Sequence, residues 1–462
     1  MVGVARQAVV IGSGPNGLVA AIELARAGLA VEVREAAEEA GGGLRTAELT
    51  LPGFVHDVCS AIHPLALASP ALRDLDVDWV HPDAPLAHPL DDGTAVVLER
   101  SVDATAGQLG ADADAYRRVL RPLLDAFPAI ADLRLVRAGR ALGLTPVAAL
   151  ESASAFARKR FREERARALF VGNAAHSMLP LERRPSASVG LALLTMGHAV
   201  GWPFPRGGAS RLTDALVDRL RSLGGEVRTS SPVDELPPVD VVMADVAPRE
   251  LLRIARGRLT ERYERDLQHY RYGPGAFKLD WALSAPIPWR APEVARAGTV
   301  HLGGTLDELS CSEREPWAGR VAERPFVLLA QQGRFDSSRG QTAWAYCHVP
   351  NGSGEDMTER IEAQVERFAP GFRDVVLARH AIGPAAFEEH NRNLVGGDPN
   401  NGAMDLQQLL FRPARRLVPY RTPIRGVYLC SAATPPGGGV HGLCGYAAAR
   451  LAVREMRLQP EV

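Results

Sequence analysis

The chain has only five cysteines (Cys59, Cys311, Cys347, Cys430 and Cys444), and no two of them stand as CxxC. That spacing argues against a zinc ribbon, against any other metal site of that kind and against a dithiol redox relay. It fits a reducing compartment, the cytoplasm. Also absent is an uninterrupted apolar run of about eighteen residues, the length a membrane-spanning helix needs. The first apolar strand starts within ten residues of Met1, which leaves no room for a signal peptide. Neither sign of charge is in excess, with a formal net charge of −1, so there is no global attraction for nucleic acid or an anionic surface. Internal repeats and low-complexity segments are missing, and the 34 prolines punctuate loops. At 462 residues the chain exceeds a single hydrophobic core, and two closely packed domains are expected.

The richest segment is VVIGSGPNGLVAAIELARAGLAVEVRE, residues 9–35. The apolar run Ala8 to Ile11 reads as a buried parallel strand. It breaks at Gly12-Ser-Gly14-Pro15-Asn16-Gly17 and resumes as an apolar-periodic helix from Leu18 to about Ala27. Gly28 stops the helix, and Val31 to Val33 starts a second strand that ends at the acidic Glu35. Each part has a task in holding a dinucleotide. Gly12 allows the tight turn, Gly14 lacks the Cβ that would block a pyrophosphate, and Gly17 lets helix and strand pack closely. The free N–H groups at the helix start favour negative charge. Glu35 is placed to accept hydrogen bonds from a ribose diol, and its charge would repel a 2′-phosphate, which disfavours NADP.

A nicotinamide dehydrogenase would usually enter another helix after the second strand. This chain instead continues Glu35-Ala36 through Gly41-Gly42-Gly43-Leu-Arg45-Thr46. Three bare positions in succession let backbone lie against something large, and Arg45 offers a planar cationic fork suited to phosphate oxygens. Near the C-terminus, Val427-Tyr-Leu429 reads as a strand, and Pro435-Pro-Gly437-Gly438-Gly439 leads into a helix carrying Gly442 and Gly445. A helix that opens on glycines presents free N–H donors and a positive dipole end. Such an end suits the N1–C2=O edge of a flavin, which becomes anionic on reduction.

The double glycine plus arginine resembles the motif of flavoproteins that bind FAD in an extended form. With the C-terminal PGGGVHG, the hairpin-like Leu51–Asp57, the stretch Gly201–Gly208 and the stretch Gly225–Leu236, the chain resembles the phytoene-desaturase-like branch of the flavin amine oxidase superfamily along nearly its whole length. The resemblance implies an α/β fold: a Rossmann-type FAD-binding domain of the glutathione-reductase kind with a discontinuous α+β substrate domain. The FAD domain is expected from 1–75, 201–260 and 416–462, and the substrate domain from 76–200, with a helical insertion, and 261–415. Cofactor contacts are expected from Gly12, Gly14, Pro15, Asn16, Gly17, Glu35, Ala36, Gly42, Gly43, Arg45, Val233, Ser431, Gly438, Gly439 and Val440. The resemblance sets Val233 against the adenine through its backbone.

The implied activity is that of an FAD-dependent dehydrogenase or desaturase, which takes hydride from a hydrophobic or small organic substrate onto flavin N5. No second GxGxxG stands at a strand-to-helix turn, so a dedicated NAD(P)H domain is not expected, and electrons would leave to oxygen, a quinone or a redox protein. A peripheral membrane contact is compatible with that substrate class, and the protein would be a monomer or homodimer. Two alternatives stay open: an amine oxidase releasing hydrogen peroxide, and a flavoprotein with no redox reaction.

Catalytic candidates are fewer. His441 sits in the turn expected to face the flavin, as an acid or base, as a hydrogen-bond partner of the ring, or as a space-filling side chain. Related carotenoid desaturases carry proline there, so His441 points away from a pure polyene. Lys278 lies on the alternating stretch Phe277–Leu283 and reads first as a solvated lysine on a strand face; the amine-oxidase resemblance offers a lysine opposite N5 instead. Tyr270 and Tyr272 precede it as candidate walls of an aromatic cage. His176, His390 and Asn391 are further polar candidates, and Asp398–Gly402 reads as a turn.

Overall fold

The computed structural model describes residues 6–131 and 150–457. Residues 132–149 of the expected helical insertion, and the chain ends 1–5 and 458–462 of the expected FAD domain, lie outside the described residues. The first strand is Gln7–Ile11, and the helix after the glycine turn is Pro15–Arg26. The helix begins before its apolar periodicity does, because proline at the first helical position has its φ preset and lacks only an N–H that would go unpaired there. Gly12 carries φ +96°, a left-handed value that glycine adopts freely.

Gln7–Ile11 pairs parallel with Ala30–Arg34 on one side and Val241–Ala244 on the other. Val427–Leu429 and Glu226–Arg228 complete a five-stranded parallel sheet as its two edges. Both faces are covered, which is why the central strands are apolar throughout. Val10, Val33 and Met243 pack under the helices Pro15–Arg26, Ser210–Ser222 and Leu443–Arg457, while Val9, Ile11 and Val242 pack against Leu251, Ile254 and Tyr263.

The second sheet has seven strands, in the order Val376–Ile382, Gly275–Leu283, Thr342–Val349, Val327–Ala330, Ala297–Leu302, Ala84–Pro89, Ala95–Leu98. All neighbours are antiparallel except Ala297–Leu302 with Ala84–Pro89. Its two faces differ. One is apolar: Phe277, Leu279, Trp281, Ala343, Ala345 and Leu329 pack with Ile361, Val365 and Phe368 of the helix Thr358–Phe368. The other carries Lys278, Asp280, Trp344, Tyr346, Thr299, His301 and His88, the alternate positions of the same strands. Over this face lie helices that include Glu164–Ala175 and Ser186–Ala199.

A hairpin, Thr46–Ala47 with His56–Asp57, bridges the sheets. Asp57 is buried; its Oδ2 accepts from Arg339 Nη2 (2.8 Å), and its Oδ1 accepts from the Ala209 N–H (2.6 Å) beside the helix Ser210–Ser222. One expectation needs correction. The C-terminal helix does not open on the glycine run but at Leu443, because Gly437, Gly439 and Gly442 carry φ +114°, +116° and +65°, values outside the helical region. No helix among the described residues is long and apolar enough to cross a membrane.

The helices Pro15–Arg26 and Leu443–Arg457 touch backbone to backbone at Gly445, where an added Cβ would lie 1.8 Å from the Asn16 carbonyl oxygen. Gly445→Ala is therefore expected to destabilise the protein by about 2–3 kcal/mol, read as a lower denaturant midpoint. An unchanged midpoint would mean that the two helices are not in contact.

Candidate functional site

A cavity of about 720 Å³ runs from the first strand's turn, between the two sheets, to the polar face of the seven-stranded sheet. Gly12, Gly14, Pro15 and Asn16 line one end, together with Glu35, Ala36, Gly42, Gly43 and Arg45. Gly17 does not. Its N–H donates to Asp245 Oδ2 (2.8 Å), and a Cβ there would lie 2.2 Å from the Gly12 carbonyl oxygen, so its place is the close packing of helix on strand.

Glu35 Oε2 accepts from the Ser13 N–H (2.9 Å) and hydroxyl (2.6 Å), and Oε1 accepts from the Ala37 N–H (3.0 Å). Arg45 Nη2 is a fourth donor, to Oε1, so the carboxylate's about four acceptor positions are all taken, and a ligand hydroxyl would displace this long Arg45 contact. Arg45 donates from Nε to the Glu39 carbonyl (3.1 Å) and stands 3.5 Å from Glu35 Oε1. Val233 lines the cavity; its carbonyl accepts from Arg253 Nη2 (3.0 Å) and keeps a second lone pair.

The C-terminal turn is reached in part. Gly439 and Val440 line the cavity, while Ser431 and Gly438 do not; Ser431 accepts from the backbone of its own turn, and Gly438 lies against Asn400. His441 is also turned away. Its Nδ1 accepts from the Leu443 N–H (3.0 Å), its Nε2 donates to the Gly437 carbonyl (3.1 Å), and its own carbonyl accepts from the Ser69 hydroxyl (2.5 Å). Burial pushes the imidazole down to about 4. A ring with both nitrogens committed to backbone fastens the glycine turn and has none left for acid–base work.

At the other end Lys278 is only 2 % exposed, which overturns its reading as a solvated lysine. Strand alternation puts Asp280 on the same face, and Lys278 Nζ donates to both Asp280 oxygens. Burial pushes the Asp280 carboxyl up, but Lys278 and His56 outweigh it, and the net direction is down. His56 Nδ1 lies 3.5 Å from Asp280 Oδ1. The aromatic wall beside Lys278 is Trp344 and Tyr346, stacked with ring centres 5.7 Å apart. It is not Tyr270 and Tyr272, which pair with each other behind the five-stranded sheet. There the Tyr270 hydroxyl donates to the Asn401 carbonyl and that of Tyr272 accepts from the Arg249 N–H. His176, His390 and Asn391 all line the cavity. Asp398 makes the expected turn, accepting from the Gly273, Asn400 and Gly402 N–H groups.

Among the residues that escaped the sequence reading, four bear on this geometry. Asp280, Trp344 and Tyr346 were signalled only by i, i+2 spacing, whose significance depends on which face is buried. Asp245, at the carboxyl end of a parallel strand where ligands gather in such sheets, is pushed up to about 7 by burial, against the lowering effect of the Gly17 N–H.

Comparison with known proteins bears on the fold and the family resemblance. Residues 10–75 match the model of an NAD(P)-binding Rossmann-like domain. The mouse pyridine nucleotide-disulfide oxidoreductase domain-containing protein 2 is 28% identical over 97% of this chain and 94% of its own length. A phytoene desaturase (lycopene-forming) from Pseudescherichia vulneris is 24% identical over 54% of this chain and 56% of its own. A solved putrescine oxidase double mutant superposes with TM-score 0.62 at 16% identity, over 99% of this chain and 100% of that one; this shows a shared fold. The resemblance read from the motifs is borne out, and with it the fold class and an oxidoreductase activity.

Burial holds His63 and His441 at about 4 and His176 at about 3, below the unfolded value of about 6.5. The unfolded chain therefore takes up protons first as pH falls. Stability is expected to be complete above about pH 6.5 and to drop progressively towards pH 4, seen as a falling urea midpoint. His441→Gln should flatten part of that slope; a midpoint constant between about pH 7 and 5 would mean that these rings are solvated.

Proposed function

We propose, for a chain that is a phytoene-desaturase-like oxidoreductase of the flavin amine oxidase superfamily, that the cavity binds FAD in extended form and that the reaction is dehydrogenation of a hydrophobic or small organic substrate. The observation that carries this is the continuity of one cavity from Gly12, Gly14 and Glu35 to Lys278, Trp344 and Tyr346. Gly12 to Asn16 would hold the pyrophosphate at the helix start, Glu35 a ribose hydroxyl in place of its long contact with Arg45, and Gly439 with Val440 the isoalloxazine edge. When bound, FAD supplies the two-electron acceptor, with N5 taking hydride from a substrate carbon.

The chain's own residues do the rest. Trp344 and Tyr346 present flat apolar surface for the substrate. Lys278 uses two of its three N–H groups on Asp280, and the third remains for a water or a polar substrate atom. The helical layer and the sheet keep bulk water from the reacting carbon. With no second GxGxxG in the chain, reoxidation falls to oxygen, a quinone or a redox protein. An aromatic pair next to a buried lysine also suits an amine, and hydrogen peroxide released with an amine substrate would single out that second reading.

Purified protein is expected to carry or take up FAD, visible in the flavin absorption bands, and to lose that colour anaerobically when its substrate is added. Protein that refuses FAD would overturn the proposal. Glu35→Gln should weaken FAD binding by about 1.5–3 kcal/mol in a fluorescence titration. Lys278→Met, at matched FAD occupancy, is expected to slow anaerobic bleaching by about a hundredfold; an equal rate would leave Lys278 only a wall residue.

A further inference from the structure

The cavity does not end at Lys278. Across the polar face of the seven-stranded sheet, Lys278 stands beside Tyr346, Tyr346 beside Leu328, and Leu328 beside His301. The far wall is His176, which follows the helix Glu164–Ala175, with Thr299, Leu193, Leu328 and Trp202. Most of that surface is apolar. Its polar atoms are therefore conspicuous, and they are arranged as a set.

His176 Nε2 lies 2.9 Å from His301 Nε2, so the two rings share one N–H between them. His301 is fully buried, and burial followed by its histidine neighbours holds it well below its ordinary value; burial does the same to His176. The pair is neutral. With Nε2 engaged, the nitrogen His176 has left for a ligand is Nδ1. If His176 donates within the pair, Nδ1 accepts; if His301 donates, Nδ1–H donates. A hydroxyl can satisfy either state, and a carbonyl one of them.

Thr299 stands two residues before His301, on the same face of the strand Ala297–Leu302. It is fully buried, lines the cavity, and its hydroxyl has no hydrogen-bond partner among the described residues. A buried hydroxyl without a partner is costly, and native proteins seldom leave one unless something else satisfies it. The site is also built at the expense of a side chain. A Cβ at Gly172 would lie 2.9 Å from His301 Nδ1 and 3.1 Å from His88 Nδ1, so a helix otherwise free to carry alanine is bare where the imidazoles stand. His88 Nε2 donates to the Gly304 carbonyl (2.7 Å) and His348 pairs with Glu313 (2.7 Å), while His88 Nδ1, His301 Nδ1 and His348 Nε2 have no partner among the described residues; unlike Thr299, these three residues do not line the cavity. No uncompensated charge faces the chamber from these elements.

We propose that this end of the cavity is a subsite for an uncharged oxygen of the substrate, a hydroxyl or a carbonyl, taken by His176 and Thr299. The substrate is then an oxygen-bearing hydrophobic molecule, with its polar end held by this pair and its oxidised carbon toward Lys278. A bare hydrocarbon would leave Thr299 unsatisfied, and an ammonium or a carboxylate would enter an apolar chamber with no counter-charge. The inference deepens the dehydrogenase reading and rests on the cavity admitting substrate beside the dinucleotide.

The test uses four probes of one chain length, 1-hexanol, hexane, hexylamine and hexanoate, titrated by calorimetry into the FAD-treated protein at neutral pH. 1-Hexanol is expected to bind about tenfold more tightly than each of the others. Thr299→Val, which keeps the shape, and His176→Phe should each cost about tenfold in 1-hexanol binding and leave hexane within about twofold. Equal binding of alcohol and alkane, an unaltered preference in Thr299→Val, or no binding of any probe would overturn the subsite. FAD retention is measured separately by absorbance on the same samples. Normal retention without an alcohol preference overturns the subsite alone. An alcohol preference in protein that takes up no FAD overturns the cofactor reading alone.

Discussion

The turn from the first strand into the first helix constrains everything built around it. At Gly17 the helix Pro15–Arg26 comes so close to the strand that a single added carbon would stand 2.2 Å from the Gly12 carbonyl. The same N–H that this approach exposes is taken by Asp245, from the neighbouring strand's end. This end of the cavity is thus shaped chiefly by main chain, with the Asp245 side chain fastening it. Gly445, meeting the other side of that helix at Asn16, repeats the device for the C-terminal segment that brings Gly439 and Val440 to the cavity. Close backbone approach leaves little room for adjustment, so both walls of this end of the cavity are fixed by main-chain contacts at the cavity itself.

The seven-stranded sheet answers with the opposite strategy. Its outer face is an ordinary apolar core, and its inner face buries Lys278, Asp280, His301 and His88. Taking such groups out of water costs several kcal/mol per ion before any pairing is counted. Lys278 and Asp280 offset each other, and His56 adds a further partner to Asp280. A fold selected only for stability would carry apolar side chains on this face as well. Retaining polarity where the helices exclude water makes sense if the groups act on something that enters.

Sequence made the dinucleotide end readable because its logic is local. Strand, glycines, helix and Glu35 lie within thirty residues, and each has a conformational reason visible in residue type alone. The substrate end was harder. Lys278 looked like a surface lysine because alternation says that two faces exist without saying which is wet, and what lies beside its ion pair is His56, from a hairpin more than two hundred residues earlier. His441 shows the converse error. Its place in a glycine turn was legible, but the direction of its ring is set by hydrogen bonds to Gly437 and Leu443 that no spacing announces. Tyr272 failed for the same reason as Lys278, with the sides exchanged: it follows the helix Glu261–Gln268, behind the five-stranded sheet, and never reaches the cavity.

The order of strands in the parallel sheet carries a consequence for how the protein comes into being. Its centre, Gln7–Ile11, is made first, yet one neighbour, Val241–Ala244, arrives more than two hundred residues later, and the edge strand Val427–Leu429 arrives near the end. During synthesis the glycine turn must therefore wait, its strand unpaired on one side and its helix without the partner that presses on Asn16. Pairings this distant in sequence are slow to form and expose apolar edges meanwhile. A dinucleotide met early would find a half-built cradle lacking Asp245, Val233 and the C-terminal glycines. A cofactor held as proposed would consequently be captured late, once the strand Val241–Ala244 and the C-terminal glycines have been made.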